Sequence, residues 1–175
     1  ADAARLAAAV EAANAAVIEA ALNGLGKPGM GCTATCAYIE NDTLAIAHVG
    51  DSRAYLLHEG TLIRVTRDHS YVEELVDAGE ITADEARVHP NRSVITRALG
   101  SDPAMYADHF TLHIEEGDRL ILCSDGLSSM IPDSDIENIA TQSSSAQICV
   151  DNLVDAALAA GGHDNVTVVV VDLVD

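Results

Sequence analysis

The chain has 175 residues, a length that suits one ordinary domain with a sizeable core. Hydrophobic residues make up 49% and aromatic residues only 3%, so the core is built from Ala, Val, Leu and Ile, and no apolar run reaches the length of a membrane span. The formal net charge of -19 excludes general affinity for nucleic acid or for anionic lipid, but it does not oppose binding of divalent cations.

The first helical segment and the cysteines bear on the compartment. Ala1 to Leu22 carries scattered charges and lacks the basic-then-apolar order of a secretory leader, which predicts a cytoplasmic protein. The cysteines lie apart in apolar surroundings without a CxxC pair, which predicts buried free thiols. They are Cys32, Cys36, Cys123 and Cys149.

The first third of the chain predicts one long helix and then strands. Apolar residues recur at helical spacing from Leu6 to Leu22, and Asn23-Gly24 marks the helix end. Four β-rich segments follow: "TATCAYIE", "TLAIAHVG", "SRAYLLH" and "TLIRVT". The turns between them are short, as in hairpins, so the pattern predicts an antiparallel meander.

Capping-box spacing marks three helix starts, because a Ser or Thr and a Glu three residues later can each bond the other's backbone N–H. The pairs are Ser70 with Glu73, Thr82 with Glu85, and Ser134 with Glu137, the last opening a helix near residues 135–140.

The remaining segments complete an α+β pattern. "FTLHI" and "RLILC" are predicted strands joined by the turn at residues 115–118, and "SAQICVDNLVDAALAA" is a helix ended by two glycines. The run "NVTVVVVDLV" suits a strand buried on both faces. The sequence therefore predicts antiparallel strands with helices packed outside them.

Three acids lie where an apolar strand gives way to a loop. Asp125 follows "LILCS", Asp164 precedes "NVTVVVV", and Asp68 follows the fourth strand. Such positions hold a carboxylate at the end of a sheet, although each one alone equally suits ordinary turn chemistry. Taken together, carboxylates without a Cys/His cluster favour Mg²⁺ or Mn²⁺ over zinc.

Other site types have weaker support. "GLGKPGMGCT" has the composition of a phosphate loop, but it joins a helix to a strand and has Pro28 after Lys27. Ser124 lacks the setting of a hydrolase nucleophile, and His69 is assigned to a polar loop.

The ordered motifs resemble those of metal-dependent protein phosphatases of the type 2C (PPM) family, in particular its bacterial branch. The matching pieces are "GMGCTAT", "AHVGDSRAYLL", "VTRDHSYVEELVDAGEIT", "HPNRSVITRALG", "GDRLILCSDGL" and "GGHDNVTVVVV". The resemblance implies an αββα arrangement of two packed antiparallel sheets flanked by helices. It also implies a single phosphatase-like domain over residues 1–175, with a flap subdomain at about residues 69–100.

The resemblance also implies the chemistry. Asp125 and Asp164 match the family's metal-binding aspartates, and Asp68 matches the aspartate of a third, weaker metal site. The implied cofactors are two to three Mn²⁺ or Mg²⁺ ions, and the implied nucleophile is a metal-bound water rather than a protein side chain. The implied partners are a phosphoserine or phosphothreonine protein substrate and a cognate Ser/Thr kinase.

One part of the family pattern does not occur in this sequence, namely the phosphate-binding arginine and the "DGxGG" stretch whose Asp bridges both metals. We therefore expect a domain without its front strands, with weak or no phosphatase activity in this chain. Exposed strand edges would then favour self-association. A non-catalytic regulatory or phosphoprotein-binding relative is the alternative.

Overall fold

The computed structural model describes residues 2–174 and divides them into two compact units. Unit 1 contains the chain up to Asp51 together with Asp68–Ile114, and unit 2 contains Ser52–Arg67 together with the chain from Glu115 onward. The expected α+β class with two antiparallel sheets is confirmed. That residues 1–175 act as a single domain stays a prediction.

Unit 1 is built on a helix and a three-stranded sheet. The helix α1 (Asp2–Leu22) buries Ala3, Ala7, Val10 and Asn14, one residue per turn along one face. That face packs on the antiparallel sheet of β1 (Ala34–Glu40), β2 (Thr43–Val49) and β5 (Asp108–His113), in the order β1-β2-β5. The central strand β2 is buried from Leu44 to Val49, as expected of a strand with neighbours on both sides.

Two short helices lie between β2 and β5 in unit 1. Ser70 caps α2 (Tyr71–Asp77) by accepting a hydrogen bond from the Glu73 backbone N–H at 3.3 Å. Thr82 and Glu85 form both bonds of the predicted capping box at the start of α3 (Ala83–Val88). The assignment of residues 69–100 to a flap subdomain stays a prediction.

Unit 2 is built on a four-stranded antiparallel sheet. Its strands are β3 (Arg53–His58), β4 (Thr61–Arg64), β6 (Arg119–Cys123) and β7 (Val168–Asp172), in the order β4-β3-β6-β7. Three helices belong to this unit: α4 (Asp125–Ser128), α5 (Asp133–Gln142) and α6 (Ala146–Ala159). Their apolar residues form one core with the sheet, centred on Tyr55, Ile121, Leu127, Ile136 and Leu153.

The predicted meander is wrong. β1 pairs with β2, and β3 pairs with β4, but β2 and β3 belong to different sheets. Likewise, β5 belongs to the three-stranded sheet and β6 to the four-stranded sheet. A short turn between two β-rich segments suits a hairpin, but it does not fix which strand becomes the partner.

Two further local predictions are also wrong. Helix α5 begins at Asp133 with Pro132 as its N-cap, so Ser134 lies inside the first turn, and the Glu137 carboxylate instead accepts the Leu62 backbone N–H at 2.8 Å. The last strand, β7, is an edge strand with Val169 48% exposed, so it is not buried on both faces. An unbroken β-branched run raises strand propensity without specifying burial.

The cysteines are only partly as predicted. All four are free thiols, and Cys123 and Cys149 are buried, but Cys36 is half-buried and Cys32 is exposed. Burial raises the pKa of the Cys149 thiol, which the nearby Arg119 partly offsets. Among the helices of residues 2–174, none combines the length and the apolarity that crossing a bilayer requires.

Candidate functional site

Asp125 is held where β6 passes directly into α4. Ser124 is the N-cap of this short helix and Asp125 is its first residue. The Asp125 carbonyl accepts hydrogen bonds from the Ser129 backbone N–H at 2.9 Å and from the Ser129 hydroxyl at 2.6 Å. Because a buried strand precedes Asp125 and a closed turn follows it, its backbone position is well determined.

Ser124 joins this turn to the segment that leads into β7. Its backbone N–H donates to the Thr167 carbonyl at 3.0 Å, and its Oγ accepts the Thr167 N–H at 3.0 Å. The hydroxyl also donates to the Asn165 carbonyl at 3.4 Å. These bonds continue the β6–β7 pairing beyond Cys123 and Val168, so the two loops leave the sheet side by side.

Gly126 brings the two loops into direct contact. A Cβ at this buried position would overlap the Asn165 carbonyl oxygen and lie 2.8 Å from the Asn165 carbonyl carbon and 3.1 Å from the Val166 Cα. Only glycine fits without moving the backbone of one loop. The Asp-Gly pair is therefore explained by the close approach of the loop that carries Asp164.

Asp164 lies in this second loop, on the surface of unit 2. Its Oδ1 accepts the Asn165 backbone N–H at 2.7 Å, a local bond that orients the carboxylate. The structure thus brings the backbones that carry Asp125 and Asp164 together, although nearly forty positions separate the two residues in the sequence. Both residues stand out in the sequence, but the contact between their loops exists only in the folded chain.

Asp68 belongs to unit 1 and has a different environment. It is 6% exposed and lies between the end of β4 and the N-cap of α2. Its neighbour His69 lies in the loop before α2, as expected, but it is only 2% exposed and is therefore a buried loop residue. The sequence signal that could have revealed this burial is weak, because "RDHS" reads as polar throughout. The role of Asp68 at a third metal site stays a prediction.

The candidate metal ligands in unit 2, the carboxylates of Asp125 and Asp164, are of the chemical type that hard divalent cations prefer. Carboxylate oxygens are the ligands that Mg²⁺ and Mn²⁺ prefer, and both candidate carboxylates come from loops fixed by backbone bonds. Within residues 2–174, no group of three or more His, Cys, Asp and Glu side chains is arranged to hold a metal ion. That Asp125 and Asp164 hold metal ions stays a prediction.

Comparison with known proteins identifies the family. A family model described as Protein phosphatase 2C matches residues 7–166. This chain belongs to the protein phosphatase 2C family. The resemblance drawn from the ordered motifs is confirmed.

Sequence relatives of this family member are bacterial phosphatases. The serine/threonine protein phosphatase PstP of Mycobacterium tuberculosis is 43% identical over 98% of this chain, which spans 33% of that protein. The serine/threonine phosphatase stp of Listeria welshimeri is 40% identical over 82% of the chain, which spans 57% of that protein. The chain thus spans between 33% and 57% of the length of these two curated relatives.

Solved structures of family members share the fold. The crystal structure of Mycobacterium tuberculosis PstP/Ppp aligns with a TM-score of 0.92 at 41% identity, covering 98% of this chain and 72% of that one. Stp1 of Staphylococcus aureus aligns with a TM-score of 0.91 at 32% identity, covering 97% and 67%. The catalytic domain of PstP in complex with two manganese ions aligns with a TM-score of 0.89 at 39% identity, covering 98% and 71%.

Proposed function

We propose that this chain is part of a metal-dependent phosphatase that hydrolyses phosphoserine and phosphothreonine in proteins. The observation that carries the proposal is the contact between the Asp125 and Asp164 loops, which only a glycine at position 126 permits. The family assignment and the names of the relatives support the reaction and the substrate class.

The proposed roles of the residues follow from their settings. Asp125 and Asp164 would hold Mn²⁺ or Mg²⁺, and these ions supply Lewis acidity toward phosphate oxygens and toward an attacking water. A closed turn fixes the backbone of Asp125, and the bond from the Asn165 N–H orients the Asp164 carboxylate, so both acids are presented from ordered loops. Asp68 would be a ligand of a third, more weakly bound ion.

The activity of residues 1–175 alone is proposed to be weak. Divalent Mg²⁺ and Ca²⁺ bind about six oxygen ligands or more, some of them water. Two carboxylates in neighbouring loops bind such ions less tightly than a fuller set. Low intrinsic turnover is the expected result of this partial donor set.

Three finer features of the biology are proposed alongside the reaction. A cognate Ser/Thr kinase would produce the phosphoprotein substrate. The free cysteines suit a reducing compartment such as the cytoplasm. Self-association is proposed through strand edges: β1 and β5 are the edges of one sheet and β4 and β7 the edges of the other, with Val169 of β7 48% exposed.

Hydrolysis of a phosphothreonine peptide tests the proposed reaction. Phosphate release is measured with added Mn²⁺, with excess chelator, and for Asp125→Asn, alongside thermal unfolding as a control for folding. The proposal predicts slow release that requires Mn²⁺ and is abolished by the substitution. Release that survives the chelator, or that is equal in folded Asp125→Asn, would contradict it. Binding of the peptide without hydrolysis would favour the non-catalytic alternative.

A further inference from the structure

His69 is a buried side chain of unit 1 with partners on both ring nitrogens. Its Nδ1 accepts the Gly50 backbone N–H at 3.0 Å, and its Nε2 lies 2.8 Å from Asp108 Oδ2. Because Nδ1 accepts from an amide, it carries no proton, and Nε2–H therefore donates to Asp108. The two bonds fix both the tautomer and the orientation of the ring.

The backbone of His69 adds a second connection to the same loop. The His69 N–H donates to the Gly50 carbonyl at 2.8 Å, so Gly50 and His69 are joined by two hydrogen bonds, which we call the Gly50–His69 clasp. Two buried carboxylates adjoin it: Asp51 is 8% exposed and follows Gly50, and Asp68 is 6% exposed and precedes His69. The clasp therefore fixes the backbone beside each of these acids.

Asp108 keeps the His69 ring in place from the other side. Its Oδ1 accepts from Arg97 Nη1 at 2.6 Å, and the Arg97 guanidinium carbon lies 4.1 Å from the centre of the Tyr106 ring. Partial burial raises the pKa of Asp108, but hydrogen bonds from His69 and Arg97 outweigh it, and the pKa lies below its ordinary value. The carboxylate stays ionised and is a strong acceptor for Nε2–H.

We propose that His69 is a positioning residue that sets the affinity of the weaker metal site by holding, through the Gly50–His69 clasp, the backbone that carries Asp68. The inference rests on the proposed function, in which Asp68 is a ligand of the weaker ion. His69 acts through these neighbours and needs no contact with substrate.

If His69 only packed against its neighbours, its aromatic ring would matter and its two hydrogen bonds would not. The His69 ring lies against the His48 ring, with centroids 4.9 Å apart, and a phenyl ring preserves that contact. Positioning requires an acceptor facing Gly50 and a donor facing Asp108. Glutamine offers both through Oε1 and Nε2, whereas phenylalanine offers neither. The pair His69→Phe and His69→Gln therefore separates the two roles.

Calorimetric titration with Mn²⁺ alone tests the inference. We expect His69→Phe to raise the Kd of the weaker Mn²⁺ site about tenfold or more, the effect typical of losing a group that orients a metal ligand. His69→Gln is expected to recover most of that affinity, and the tighter Mn²⁺ binding in unit 2 should not change. Wild-type affinity in His69→Phe, or an equal loss in both variants, would overturn the inference.

Asp108→Asn provides a second variant that leaves the buried ring intact. The substitution removes the negative charge and replaces one acceptor oxygen with an NH2 group, which cannot accept from His69 or Arg97. The weaker Mn²⁺ site should again lose affinity, and an unchanged Kd would count against the inference. This measurement decides the matter if His69→Phe does not fold, as judged by thermal unfolding. A wild-type protein that binds no Mn²⁺ overturns the proposed function and this inference together. Normal wild-type binding that His69 and Asp108 do not influence overturns this inference alone.

Discussion

Arg119 and Asp172 face each other across β6 and β7 and form a two-pronged ion pair, with Nε 2.5 Å from Oδ1 and Nη2 3.0 Å from Oδ2. The remaining guanidinium nitrogen, Nη1, donates to the carbonyls of Ala140 at 2.7 Å and Ser143 at 3.0 Å. One side chain thus joins an edge strand and the end of α5 to β6, the strand that leads into Asp125.

Arg119→Met is expected to destabilise the protein by about 2 to 4 kcal/mol, because it removes a mostly buried cation and leaves a carboxylate and two carbonyls to be resolvated. Urea unfolding measures the change. Arg5→Met is the matched control, since Arg5 is 85% exposed and pairs with Asp2 across one helical turn, and it should cost less than about 0.5 kcal/mol. Equal losses in the two variants would contradict the assigned role of Arg119.

Low pH is expected to weaken the ion pair between Arg119 and Asp172. Hydrogen bonds from Arg119 hold the pKa of Asp172 below its ordinary value of 3.8. A carboxyl group with a lowered pKa stabilises the fold while ionised, so its contribution is complete above 3.8 and is lost as the pH falls through the lower folded value. The unfolding free energy of Asp172→Asn should therefore fall less between about pH 6 and about pH 3 than that of the wild type. An unchanged acid dependence would contradict the prediction.

His58 is expected to have the opposite pH dependence. Its Nδ1 lies 2.7 Å from Oδ1 of the buried Asp118, and this hydrogen bond, with the charge of Asp118, raises the pKa of His58 above 6.5. The stabilisation is therefore complete below 6.5 and is lost as the pH rises through the folded value. Unfolding free energies of wild type and His58→Gln should converge as the pH rises from about 5 to about 9. A difference that stays constant over that range would contradict it.

Gly126→Ala tests the contact between the loops of Asp125 and Asp164. The added Cβ meets the Asn165 backbone, so the loops must separate, at a cost of about 1 to 3 kcal/mol, and Mn²⁺ affinity should fall. Gly60→Ala is the matched control: φ is +79° there and nothing lies within 4 Å, so the substitution strains the backbone without touching the site. The control should lose about 1 kcal/mol and bind Mn²⁺ normally. Normal Mn²⁺ binding by Gly126→Ala would show that the loop contact does not matter.

Much of the local structure was predictable because it depends on local signals. The apolar spacing of α1 and its end at Leu22 follow from periodicity and from the glycine at position 24, which has φ +74°. Thr82 begins α3 because both bonds of its capping box lie within four residues. In contrast, Ser134 has the same spacing but does not cap its helix, because the Glu137 carboxylate accepts a longer-range hydrogen bond from the Leu62 backbone N–H.

Long-range features could not be read from the chain. Sheet membership of β2 and β3 depends on partners more than fifty residues away, such as Phe110 opposite Ile46 and Ile121 opposite Tyr55. The burial of His69 likewise depends on Asp108, which lies 39 positions away. The site acids were predictable from their places at strand ends, but the contact of Gly126 with Asn165 is a property of the folded sheet.

Isothermal titration of Mn²⁺ into the wild type, Asp125→Asn, Asp164→Asn and the double variant tests most directly whether the two contacting loops share one metal site. If they do, each single substitution weakens the tighter binding strongly, and the double variant loses little more than the worse single variant, because both act on the same ions. Wild-type Mn²⁺ affinity in the folded double variant would contradict the account.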